Sequence, residues 1–117
     1  MSINASEELL KAIPFGNDIE RACIQVDPDY DSCTTYYLDK YYLPEDYKKF
    51  FELLDFEYEN GFGRQRLDGT VWLADGSWLE RGEYDGSEWW EWKRSPDIPK
   101  FFRTLPVNGK VGKFFKA

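Results

Sequence analysis

Within residues 67–92 the pair Asp-Gly occurs three times, at Asp68-Gly69, Asp75-Gly76 and Asp85-Gly86, and the residues between alternate around tryptophan. Asp-Gly suits the positive φ values of a two-residue type I′ turn, so each pair reads as a hairpin signal between short strands. A hairpin fixes a register, and a register fixes which side chains share a face of the sheet. A two-residue turn at Asp75-Gly76 pairs Leu73 with Trp78, Trp72 with Leu79 and Val71 with Glu80. A second at Asp85-Gly86 pairs Tyr84 with Ser87, Gly82 with Trp89, Arg81 with Trp90, Glu80 with Glu91 and Leu79 with Trp92. One face then carries Val71, Leu73, Trp78, Tyr84 and Trp89, with Glu80 opposite Glu91. The other carries Trp72, Ala74, Leu79, Trp90 and Trp92, with Arg81 beside Trp90 and Glu83 opposite Glu88.

Both faces are thus aromatic, whereas a sheet with one wet face is apolar on one side only. Two arrangements satisfy the pattern. Helices cover one side and an N-terminal hairpin the other, with all five tryptophans in the core; or one face stays open as a binding surface. Gly82 opposite Trp89 favours a ring laid over bare backbone, which serves either arrangement.

The remaining elements are short. Asn4-Ala5-Ser6-Glu7 has capping-box spacing ahead of Leu9, Leu10 and Ile13, which predicts a helix from about 5 to 13, stopped by Pro14. Residues 20–26 and 33–38 alternate or are rich in β-formers, and predict a hairpin. Pro44 suits a first helical position, with Glu45 and Asp46 in the first turn, and Tyr47, Phe50, Phe51 and Leu54 fall on one side of the helix it opens. Phe56-Glu57-Tyr58 predicts a brief strand. The expected fold is α+β: an antiparallel sheet whose Trp-rich three-stranded meander spans about 64–93, with one or two helices packed on it. The 117 residues form one expected domain, ending in an irregular basic tail from about 95 to 117.

Several functions find little support. The chain has no histidine and only two cysteines, Cys23 and Cys33, so a four-ligand zinc site and histidine-based triad or acid–base chemistry are out of reach. The cysteines are expected to be reduced thiols. Asp27, Asp29 and Asp31 have the opening spacing of an EF-hand loop, but Ser32 stands where glycine is required and Leu38 where glutamate is. No phosphate-binding loop or nucleophile elbow is present. Glu80 and Glu91, flanked by Trp78 and Trp89, have the composition of a sugar subsite with an acid and a nucleophile. A glycosidase of this length would be very small, and the expectation is a non-enzymatic protein without cofactor or metal. No run approaches the roughly 20 apolar residues of a membrane span, and residues 1–8 lack the character of a secretory signal; cytoplasm is the expected location.

Charge is uneven along the chain. The net charge of −7 divides into −13 over residues 1–92 and +6 over residues 93–117. An acidic body repels phosphates and attracts basic protein faces. The tail would fold back on this body or grip an acidic partner.

The run from Asp75 to Trp90, DGSWLERGEYDGSEWW, followed by Lys93-Arg94-Ser95-Pro96-Asp97-Ile98-Pro99, resembles a segment of small proteins of tailed phages. The resemblance covers about a quarter of the chain. It implies a setting rather than an active site: such proteins are often made early to bind and disable host machinery, including restriction and CRISPR complexes. The leading expectation is therefore an acidic binding protein that docks on a basic, nucleic-acid-handling host protein, as an anti-CRISPR or anti-restriction inhibitor. Asp27, Asp29, Asp31, Asp46, Glu52, Asp55, Glu57 and Glu59 would stand in for DNA phosphates, and the acidic body would not itself bind nucleic acid. The second expectation is a module for a nucleotide-like or sugar ligand, using an exposed face with Trp78, Trp89, Glu80 and Glu91. A third is an assembly protein whose aromatic face pairs two copies; monomer and homodimer are both compatible with the sequence.

Overall fold

The computed structural model describes residues 2–61 and 63–96. In chain order the elements are β1 (Ser2–Asn4), α1 (Ala5–Ala12), β2 (Ile19–Val26), β3 (Thr34–Leu38), α2 (Pro44–Leu53), β4 (Glu57–Glu59), β5 (Leu67–Leu73), β6 (Trp78–Tyr84) and β7 (Ser87–Lys93). Five strands form an antiparallel sheet in the order β3-β2-β5-β6-β7, and β1 pairs with β4 in a small sheet of its own. The fold is α+β, as the sequence predicts.

Local chemistry starts both helices. The Asn4 side chain accepts from the Ser6 and Glu7 amides at 3.0 and 3.2 Å, satisfying two donors that the first turn leaves open. Pro44 opens α2, where its missing N–H costs nothing, and Asp46 accepts the Leu43 amide at 2.9 Å. Phe50 from α2, Leu54 just after it, Leu9 from α1 and Tyr58 from β4 meet Ile24, Leu67, Val71, Leu73 and Leu79 of the large sheet in one buried cluster. Among the described residues, both helices therefore lie on the same side of that sheet.

The last hairpin has the expected register, from Tyr84↔Ser87 through Gly82↔Trp89 to Leu79↔Trp92. Asp85 and Gly86 take φ values of 51° and 86°, as a type I′ turn requires. The preceding hairpin does not follow the expectation. Trp72 pairs with Trp78 rather than with Leu79, and Val71 with Leu79 rather than with Glu80. The connection is a three-residue loop: Leu73 accepts the Gly76 amide at 3.1 Å, and its own amide reaches Ser77 at 2.9 Å. Asp75 stabilises it by accepting the Ser77 amide at 2.9 Å and the Ser77 hydroxyl. A slip of one residue moves every β5 side chain to the opposite face. Val71 and Leu73 thus join Leu79, Arg81 and Trp90 on the core side, while Trp72 joins Trp78 and Trp89 on the other.

Two further expectations are corrected. Asp68-Gly69 is not a turn but part of β5, where a Cβ on Gly69 would sit 2.1 Å from the Cys23 carbonyl oxygen. The N-terminal hairpin does pair as predicted, from Ala22↔Leu38 to Val26↔Thr34. However, β2 hydrogen-bonds along β5, so the hairpin extends the sheet instead of stacking over the meander. The arrangement with all five tryptophans in the core fails for that reason. The strand expected at 56–58 lies at Glu57–Glu59, and its partner β1 has no counterpart in the sequence reading.

Candidate functional site

The sheet face away from the helices carries a row of aromatic and charged side chains. Arg21 pairs with Trp72, Trp72 with Trp78 and Trp78 with Lys93. In the next row, Tyr37 neighbours Cys23, Cys23 neighbours Thr70, Thr70 neighbours Glu80 and Glu80 neighbours Glu91. Trp72 is 40% exposed and Tyr37 68%, and no described element covers them. Strand alternation alone places these residues together, because each is two positions from the next on its own strand.

Specific bonds hold the centre of this face. The Trp78 indole N–H donates to Glu80 Oε1 at 2.9 Å, and the Trp89 indole N–H donates to Glu91 Oε1 at 2.9 Å. Lys93 Nζ stands 3.3 Å from Glu80 and 3.8 Å from Glu91. Two carboxylates directly across a strand pair repel, and one ammonium between them offsets that repulsion. Trp89 lies across Gly82, where an added Cβ would come within 2.6 Å of its Nε1. The hydrogen bond from Trp78, and after it Lys93, holds the Glu80 carboxyl below the usual carboxylate range. A sugar-cleaving acid needs the opposite shift. The four residues named from sequence, Trp78, Trp89, Glu80 and Glu91, are thus brought together, but as a cross-braced surface.

The core side of the same strands holds a charge cluster that sequence reasoning missed. The Arg81 guanidinium donates to Glu88 Oε1 at 2.7 Å, to Glu8 Oε1 at 3.2 Å and to the Tyr58 hydroxyl at 2.6 Å. It also lies 4.9 Å from the Trp90 ring. The side chains of Arg81 and Glu88 are 0% and 1% exposed. Glu88 accepts the backbone amides of Arg66 and Leu67 at 2.7 and 3.0 Å, tying β7 to the start of β5. Tyr58 also donates to Glu8; burial first, then that bond, raises its pKa from the ordinary 10.0. Burial opposes the charge on Arg81, yet Glu88, Tyr58 and Glu8 together raise its pKa. The available signal was parity: Arg81 shares the inward face of Leu79 and needs an anion there. Of its partners, Glu88 lies in the same hairpin, but Glu8 and Tyr58 lie far away in sequence.

The eight acidic residues proposed for a partner fall into two groups. In the first, Asp27 is paired with Arg66, while Asp29 and Asp31 stand exposed in the loop after β2. In the second, Asp46 is committed to the start of α2, with Lys48 and Lys49 interleaved, and Glu52 and Asp55 share the rim of a groove between α1 and α2. Asp55 also accepts from Asn4 at 2.9 Å. Glu57 and Glu59 lie on β4, Glu57 exposed and Glu59 partly shielded. The groove encloses about 450 Å³ and has an apolar floor of Leu10, Tyr47 and Phe51. A second hollow of about 560 Å³ lies beside Asp75, Ser77, Trp92 and Arg94.

Cys23 and Cys33 are free thiols. Among the described residues, no group of three or more His, Cys, Asp or Glu side chains is placed to hold a metal ion, and no helix is long and apolar enough to cross a membrane. From residue 97 onward the basic tail lies outside the described residues. No protein-family model, curated protein or solved structure matches this chain.

Proposed function

We propose that this chain is a non-enzymatic binding protein that recognises a basic partner protein through the open face of its sheet. The observation carrying the reading is the sheet face turned away from the helices, which bears Trp72, Trp78 and Trp89 with Glu80 and Glu91 set among the rings. Tryptophan dominates the energy of protein interfaces, and a rigid ring loses little freedom on docking. The indole–carboxylate bonds keep Trp78 and Trp89 fixed before a partner arrives, which lowers the ordering cost. The charge selects the partner: residues 1–92 carry a net −13, which favours a lysine- and arginine-rich surface. Nucleic-acid-handling proteins present such surfaces. The resemblance to tailed-phage proteins makes a host defence complex the partner we favour, with inhibition as the result and the host cytoplasm as the place. Glu52 and Asp55, side by side on the helical side, would add steering rather than a continuous phosphate-like row.

The test is a pull-down from bacterial host lysate at low salt, eluted by a salt step and read by mass spectrometry. The expected result is a nucleic-acid-binding complex retained by the native chain, released by salt, and lost with Trp78→Ala or Trp89→Ala. Retention unchanged by either substitution would overturn the open-face reading.

A small-ligand reading has one observation in its favour: Trp89 lies against bare backbone at Gly82, on the sheet face turned away from the helices, where a planar ligand would stack on its ring at about 1–3 kcal/mol per ring. Such a ligand would quench tryptophan emission equally at low and high salt, whereas a basic protein partner would lose its effect as salt rises.

A further inference from the structure

The large sheet ends at β3 on one side and at β7 on the other, and no described strand lies beyond either. Hydrogen-bond parity shows which backbone groups point outward from each edge. Asp27 donates its amide to the Arg66 carbonyl at 2.7 Å, so Cys23 and Gln25 turn their N–H and C=O toward β5, while Ala22, Ile24 and Val26 turn theirs toward β3. The partners of those three are Leu38, Tyr36 and Thr34. Thr35 and Tyr37, lying between them, therefore direct N–H and C=O away from the sheet. On β7 the tight turn at Asp85-Gly86 sends Glu88, Trp90 and Trp92 outward, but Asn60 already accepts the Glu88 amide at 2.8 Å.

Soluble proteins usually blunt an open edge with lysine, proline or a bulge. The β3 edge has none of these. Its sequence is Thr34-Thr35-Tyr36-Tyr37-Leu38, and its register with β2 runs without a shift. Beside it, toward α2, lies a hollow of about 300 Å³ lined by Tyr37, Asp39, Phe50 and Leu53, with Leu53 exposed. A strand added to β3 would send alternate side chains to that side of the sheet.

The edge is also complementary to itself. Laid antiparallel with Tyr36 opposite Tyr36, two copies match Thr35 of each with Tyr37 of the other, and both matches are hydrogen-bonded pairs of the ladder. The same alignment carries the exposed Asp31 of one copy toward the exposed Lys40 of the other, whose own contact with Glu20 is a loose 4.0 Å. A twofold axis makes that attraction twice.

We propose that β3 pairs with β3 of a second copy, joining the two five-stranded sheets into one. Residues paired across strands share a face, so the Trp72 and Trp78 faces of both copies would lie on the same side of the joined sheet. The contact does not depend on what that face binds.

Sedimentation equilibrium of the full-length chain over a concentration series, with reductant present so that Cys33 cannot crosslink, tests this. The expected result is a monomer–dimer equilibrium. Thr35→Pro removes only an outward N–H, which an edge strand tolerates, and Tyr37→Lys places a charge at an exposed edge position. Each should raise the dissociation constant several-fold or more while leaving the unfolding midpoint of the dilute protein near the native value. The proposal is overturned if the native chain is a monomer at every concentration, if it grows into species larger than a dimer, or if both variants associate like the native chain. Loss of the dimer in Trp72→Ser with retention in both edge variants would equally overturn it, making the aromatic face the contact.

Discussion

Trp89 and Gly82 face each other across β6 and β7, and the absence of a side chain on Gly82 is what leaves room for the indole against the strand. An added Cβ would stand 2.6 Å from Trp89 Nε1, 2.7 Å from its Cε2 and 2.8 Å from Glu91 Oε1. The ring cannot easily swing aside, because Glu91 holds its N–H.

Gly82→Ala should therefore destabilise the protein by about 1–3 kcal/mol, the usual cost of overpacking. The lower entropy of an alanine-containing unfolded chain returns only about 0.4–1 kcal/mol. Urea unfolding measures the loss. Trp89→Ala in the same background should recover part of it, since the clash disappears with the ring.

Arg81→Met should cost more, about 3–5 kcal/mol, because it strands Glu88 and Glu8 without their cation in the interior. Arg81→Lys keeps the charge but cannot fork to Glu88, Glu8 and Tyr58 together. Chemical denaturation should rank the three proteins native, Lys, Met in falling stability; a Met variant as stable as the native chain would refute the role assigned to this cluster.

Stability should also fall in alkali. Tyr58 has its pKa raised above the ordinary 10.0, chiefly by burial. Its neutral form is thus favoured by folding, a contribution complete below that value and lost as pH climbs past it, because the unfolded chain then releases a proton the folded chain retains. Tyr42 and Tyr47 shift in the same direction, again chiefly through burial. Unfolding midpoints recorded from pH 8 upward should drop beyond about pH 10. Tyr58→Phe should flatten that drop while lowering stability at neutral pH, where it removes the bonds to Arg81 and Glu8.

On the open face, Lys93→Ala removes the ammonium shared by Glu80 and Glu91. The two carboxylates then repel unscreened, so the unfolding midpoint should fall at low salt and recover as salt is added. Adding Glu91→Gln should restore it without salt.

How much of this was readable in the sequence depended on how local the determinant was. Pro44, Asn4 and the Asp85-Gly86 turn act on their immediate neighbours, and the elements they set are where the sequence placed them. Asp75-Gly76 looks the same in letters, but Asp75 binds Ser77 and the loop takes three residues, so the faces of β5 were inverted. Strand β1 exists only because Ile3 meets Tyr58, fifty-five positions away, and no short-range pattern announces that. The open-face quartet of Trp78, Trp89, Glu80 and Glu91 survived because its pairing lies within the last hairpin; Arg81 finds Glu88 in that hairpin too, but its other partners, Glu8 of α1 and Tyr58 of β4, are beyond the reach of any local pattern.

The pairing of β2 with β5 sets the order in which the molecule can assemble. It joins residues 19–26 to residues 67–73, so a long segment containing β3, α2 and β4 must be gathered before a single rung of it forms. The β6–β7 hairpin and the two helices need no such closure. Loop-closure entropy grows only slowly with length, but it is spent before any contact returns it. Refolding speed should accordingly respond to Ala22 and Val71, which meet on the central rung, far more than to Tyr84 and Ser87 beside their tight turn.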